Sequence, residues 1–139
     1  MLMPFSVAVL DDLGFGELSA ERATELAAAA FAARGYDPER MGEVSVALVD
    51  EETIRGLNLK YRDKDAPTDV LSFEIDGPYG EMVGEIVICP SVSSSEMGIE
   101  ELVVHGALHL SGMDHGEDFE ASEMAAVQGA VLRDVGGGG

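Results

Sequence analysis

A chain of 139 residues is long enough for one domain with a real core. Its 27 Asp and Glu against 8 Lys and Arg give a formal net charge of −19, which argues against the broadly basic surface by which nucleic-acid binders neutralise phosphates. The single cysteine, Cys89, excludes an internal disulfide and suits a reducing cytosol, no apolar run reaches membrane-spanning length, and Met1–Ser6 lack the basic start and cleavage pattern of a signal peptide.

Phe5 to Leu10 alternates and is β-branched enough for a strand. Ser19 can cap a helix running to about Arg34, with Leu26, Ala27, Ala30 and Phe31 as its apolar stripe and Gly35 as its stop. Val44, Val46 and Leu48 mark a second strand. Asp50 can cap the next helix, where Glu51 and Glu52 complement the positive end and Ile54, Leu57, Asn58 and Tyr61 share a face. A polar loop spans Arg62 to Thr68. Val70 to Ile75 and Met82 to Cys89 read as strands paired in a hairpin through the turn Gly77-Pro78-Tyr79-Gly80.

Cys89 ends an apolar run and reads as a packing residue rather than a nucleophile. After Pro90 and the serines Ser91 to Ser95, a nearly all-apolar helix starts near Ile99, which predicts central burial. A final helix spans about Asp118 to Val135, with Met124, Val127 and Val131 inward. The fold expected is α+β: one domain over 1–135 with a mixed sheet of about four strands covered by helices on one face. Gly136 to Gly139 read as a floppy tail outside it.

All 3 histidines fall between His105 and His115, in the stretch HGALHLSGMDH. Residues four apart stack on one helix face, so His105 and His109 can aim at one atom. Gly112 can end the helix, and His115 can return as a third ligand. Three imidazoles with a fourth position open to water describe a catalytic zinc site, with zinc favoured over nickel, copper or iron. The spacing is also that of metzincin proteases, but their general-base glutamate is Gly106 here, which demotes a peptidase. A glycine inside a helix costs about 1 kcal/mol relative to alanine, so Gly106 implies a close approach by a strand or substrate.

Arg55, Lys60, Arg62 and Lys64 gather half of the positive charges into one local patch. Taken alone, Arg62 is better explained by a surface ion pair to one of the many carboxylates.

Two segments resemble a known family. Leu57 to Phe73 reads LNLKYRDKDAPTDVLSF, and with Val83-Gly84-Glu85-Ile86-Val87-Ile88 and the histidine stretch it is similar, in order and spacing over about residues 43 to 130, to the YbeY endoribonucleases. The resemblance implies a zincin-like α+β fold with a central metal-binding helix, and one zinc per chain on His105, His109 and His115. It implies cleavage of single-stranded RNA in maturation and quality control of small-subunit ribosomal RNA, in the cytoplasm. Arg62 falls on the family's functional arginine, beside a zinc-bound water as the other catalytic element.

Lys60 and Lys64 are candidates for flanking phosphates, and Asp114, Asp69 and Glu85 for support of the ligands. The chain departs from the family pattern at Glu85 (usually Asp), Glu74 (usually Pro) and Met113 (usually Tyr), and its segment from Cys89 to His105 is short. Two rivals stand beside this reading: a zinc metallopeptidase, and a non-catalytic ribosome assembly factor that keeps zinc for folding.

Overall fold

The computed structural model describes residues 5–16, 18–36, 43–76, 82–92, 98–113 and 122–135. Local signals start its helices. Ser19, in an extended conformation, accepts from Arg22 N at 3.1 Å and opens α1 (Ala20–Ala33). Asp50 opens α2 (Glu51–Arg62) in the same way through Thr53 N at 2.8 Å. The strands β1 (Val7–Leu10), β2 (Val44–Leu48), β3 (Val70–Asp76) and β4 (Met82–Ile88), with α3 (Ile99–Leu110) and α4 (Glu123–Asp134), complete the expected order of strand, helix, strand, helix, two strands, two helices.

The last helix begins later than its sequence suggests. Ser122 is extended and its hydroxyl accepts from Ala125 N at 3.1 Å, so α4 starts at Glu123 rather than near Asp118, which lies outside the described residues together with the rest of 114–121. The 77–81 turn and the 136–139 tail also lie outside them.

The sheet order is β1-β2-β4-β3. β1 and β2, and β2 and β4, are parallel, while β3 and β4 form the expected antiparallel hairpin from Val70↔Ile88 to Asp76↔Met82. β3 is therefore an edge strand. Its position and the mixed pairing make this an α+β domain with one four-stranded sheet.

Helices cover both faces, not one. Val44, Val46, Leu48, Ile86 and Ile88 face α1, α3 and α4, whose Leu26, Phe31, Leu102, Leu108 and Met124 complete the main core. The alternate residues Ala47, Leu71 and Val87 are apolar too. That second face cannot be left to water, and Ile54 and Leu57 of α2 close it, with Phe73 and Cys89 in the same cluster. Cys89 is fully buried as expected, and burial pushes its thiol pKa up, away from a nucleophile's.

Gly106 is where α3 meets the sheet. A Cβ there would lie 2.6 Å from Ile86 Cγ2 and 3.1 Å from Ser72 Oγ. Ser72 Oγ donates to Gly106 O at 3.2 Å. The close approach read from the sequence is thus made by β3 and β4. At the other end of α3, Gly112 takes φ +100° and turns the chain.

Candidate metal centre

Packed over β3 and β4 and against α1 and α4, α3 buries every residue from Leu102 to Leu108, His105 included. His105 and His109 share one helix face. Their Nε2 atoms approach to 3.1 Å, with ring centroids 4.7 Å apart and planes crossed at 73°.

The partner of each Nδ1 fixes what Nε2 presents. His109 Nδ1 lies 3.0 Å from the carbonyl oxygen of Met113. A carbonyl only accepts, so Nδ1 carries the hydrogen, and in the neutral ring Nε2 then presents a lone pair. His105 Nδ1 stands in the same relation to Gln128 Oε1, at 2.9 Å and fully buried. Two lone pairs facing at this distance repel, and a shared cation converts that repulsion into two bonds. Two nitrogens on a tetrahedral zinc, each bonded at about 2.0–2.1 Å, are roughly 3.3 Å apart. The pair fits an imidazole-binding ion, and each ring has the outer partner that such ligands use.

The end of α3 that carries His109 is also tied down. Ser111 Oγ donates to Leu108 O at 2.6 Å and accepts from Arg34 Nε at 3.3 Å, while Tyr36 OH donates to Ser111 O at 3.3 Å. Met113 N donates to Leu108 O at 3.1 Å, which sets the carbonyl that holds His109.

Among the described residues, no group of three His, Cys, Asp or Glu side chains forms a metal-sized cluster. The expected third ligand, His115, and its neighbour Asp114 lie outside the described residues. Asp69 is half-buried just before β3, where its carbonyl accepts from Cys89 N at 2.9 Å. Glu85 alternates with Gly84 and Ile86, which face α3, so its side chain leaves the sheet on the α2 side. The structure does not bring Glu85 to the histidines.

Lys60, Arg62 and Lys64 are exposed at the end of α2. Arg55, counted with them from sequence, is occupied: its Nε donates to Asp65 Oδ1 at 2.6 Å and its Nη2 to Oδ2 at 3.2 Å. That pair raises the guanidinium's pKa and holds the Asp65 carboxyl below its ordinary range. The patch is therefore three cations. It sits on the α2 side of the sheet, but α2's last turn lies against the edge strand: the rings of Tyr61 and Phe73 are 5.0 Å apart. α3 packs on the other face of that same strand.

Gln128 is the site residue that sequence reading missed. One sign was available: it lies four after Met124 and three before Val131, a polar side chain inside the apolar stripe of α4.

The sequence profile of the family described as endoribonuclease YbeY matches residues 16–136. The endoribonuclease YbeY of Rubrobacter xylanophilus is 70% identical over 136 residues, covering 97% of this chain and 99% of its own. That of Azorhizobium caulinodans is 38% identical over 149 residues, covering 96% and 93%. A Thermotoga maritima protein solved in solution has the same fold, with a TM-score of 0.57 at 28% identity over 95% of this chain and 90% of that one.

Proposed function

The chain belongs to the endoribonuclease YbeY family, and from that premise we propose that it is a zinc-dependent endoribonuclease cutting single-stranded RNA in the maturation and quality control of small-subunit ribosomal RNA. Hydrolysis of RNA phosphodiester bonds follows from the family and from the names of the relatives. The metal half of the reading is carried by one observation: two Nε2 atoms 3.1 Å apart, each on a ring whose Nδ1 donates elsewhere. In this reading α3 is the metal-binding helix of a zincin-like domain, His115 is the third ligand, and one coordination position stays open to water. One zinc serves each chain, and the small ribosomal subunit in the cytoplasm is the setting.

Zinc bound there would supply Lewis acidity toward a phosphoryl oxygen and lower the pKa of water from about 16 to about 7. The chain's own residues supply the rest. Gln128 and the Met113 carbonyl hold the two rings in the tautomer that leaves Nε2 free of hydrogen. Arg62, planar and always charged, suits a phosphate and the charge that develops on it. Lys60 and Lys64 suit the flanking phosphates, and Asp114 and Asp69 the support of the ligand loop and of β3.

Gly106 disfavours the peptidase rival. The position that carries the base in metzincins is filled here by Ile86 and Ser72, and a glutamate has no room.

The test joins metal analysis of the purified chain to cleavage of ribosomal RNA with and without chelator. About one zinc per chain and chelator-sensitive cutting of single-stranded RNA are expected. A metal-free native protein, or cutting that chelator leaves intact, would overturn the reading.

A further inference from the structure

Tyr61 is 56% exposed, more than any other aromatic ring among the described residues. It is not loose. One side of the ring leans on Phe73 at 5.0 Å with the planes tilted by 59°. The Lys60 ammonium lies over the ring, 5.1 Å from its centroid, where an incoming base would displace it toward a phosphate. Arg62 and Lys64 follow at once, exposed.

The segment that carries these groups is fastened at three points. Buried Asn58 donates from Nδ2 to Ala66 O at 2.8 Å, Lys64 N donates to Asn58 O at 3.3 Å, and Arg55 grips Asp65. Asp63 makes the turn at φ +57°. The backbone that carries the ring and its cations is therefore set before binding, which lowers the entropy cost of a contact.

We infer that Tyr61, braced by Phe73 and flanked by Lys60, Arg62 and Lys64, is a stacking platform for one base of single-stranded RNA. An exposed ring beside cations is the combination that binds unpaired nucleotides: the base covers the ring, and the cations take the phosphates. A duplex keeps its bases stacked on each other and offers no such face. In a chain with a net charge of −19, three cations that make no ion pair among the described residues, grouped at one half-exposed ring, are a local exception that matches a polyanion. The platform and the histidine helix pack on opposite faces of the same edge strand. Phe73 and Ser72 are neighbours on edge strand β3 and face opposite sides, Phe73 to Tyr61 and Ser72 to Gly106 of the histidine helix. RNA crossing the outer edge of β3 meets both.

This inference rests on the nuclease reading, and the experiment separates the two. Tyr61→Ala, Tyr61→Phe and Tyr61→Trp are compared in steady-state cleavage of a single-stranded RNA, with fold checked by circular dichroism. Loss of one stacked base is expected to raise KM about 5- to 100-fold in Tyr61→Ala with kcat little changed, and the aromatic replacements restore it. The chain has no tryptophan, so Tyr61→Trp carries a sole reporter. Octauridylate should quench its fluorescence in stopped flow before turnover, and an RNA duplex should not. Normal cleavage with an unchanged KM in Tyr61→Ala, or an unquenched reporter, overturns the platform and leaves the nuclease reading standing. Failure of the unaltered protein to bind or cut single-stranded RNA overturns both.

Discussion

Gln128 Oε1 accepts the hydrogen bond from His105 Nδ1 at 2.9 Å, linking α4 to the buried histidine of α3 across 23 positions of sequence. The contact decides which nitrogen of His105 is available, since an acceptor at Nδ1 leaves the lone pair on Nε2. Gln128→Leu removes the acceptor and keeps the volume. It should weaken zinc binding about 10- to 100-fold in competition with a chelator, the usual loss when such an outer partner goes. Gln128→Glu, which accepts more strongly, should keep or raise affinity. Nitrogen-15 spectra of the zinc-free protein provide a second readout, with His105 shifting toward a mixture of tautomers only in the leucine variant. Equal zinc affinity in all three proteins would remove Gln128 from the site.

The contrast between this residue and its neighbours marks what a sequence makes legible. Ser19, Asp50 and Gly112 act on backbone groups within a turn of themselves, and each does what its position announces. The β3–β4 hairpin is local too. Choices made by distant partners are less visible. Asp118 and Ser122 can both cap a helix, and Ser122 starts α4. Which sheet face takes α2 depends on Ala47, Leu71 and Val87 assembling from three strands, although each strand taken alone shows apolar residues on both sides. Arg55 reads as a free cation until Asp65, ten residues on, is folded against it. The pairing of His105 and His109 is legible because it obeys the helical repeat; of the two groups that hold their rings, the Met113 carbonyl is local, whereas Gln128 comes from another helix.

Close packing at Gly106 gives a stability prediction. A methyl group there meets Ile86 and Ser72 inside ordinary contact distance, so Gly106→Ala should destabilise the domain by about 1–3 kcal/mol despite alanine's better helix propensity. Thermal unfolding should show a drop in Tm of roughly 3–10 °C. Combining it with Ile86→Ala, which opens the space, should cost less than the sum of the two single changes, because the residues touch. Strict additivity would mean that the α3–sheet contact is not what demands glycine.

A salt bridge ties three helices together and makes stability depend on pH. Arg22 binds Glu100 through Nε at 3.0 Å and Nη2 at 2.9 Å, and its Nη1 reaches Val135 O at 3.2 Å. The guanidinium's hydrogen bond holds the Glu100 carboxyl below its ordinary range. A carboxyl whose pKa is lowered in the folded state stabilises fully above its unfolded value, about 4.3, and loses that contribution as pH falls through the folded value. Arg22→Leu should therefore lower stability near neutral pH by about 1 kcal/mol, a modest figure because the pair is partly exposed and screened by salt. The gap between variant and parent should narrow as unfolding is followed from pH 6 down to pH 3. A constant gap would assign the loss to packing of the arginine stem.

Arg62 offers the most direct separation of an enzyme from a zinc-bearing assembly factor. It ends α2 exposed, one residue after the ring that leans on edge strand β3, so it can reach a phosphate without holding the fold together. Arg62→Glu should leave zinc content and Tm within the range of ordinary surface changes, about 0.5 kcal/mol. Cleavage of single-stranded RNA should fall by roughly 10²- to 10³-fold, the scale of losing one preorganised charge at a reacting phosphate. Arg62→Lys should recover only part of it, since a lysine keeps the charge but not the planar fork that meets two phosphate oxygens. Full cleavage in Arg62→Glu would leave the histidine centre to act alone and turn the α2 cations into a docking feature. Cleavage absent from the unaltered protein, with zinc bound and the fold intact, would favour the assembly factor.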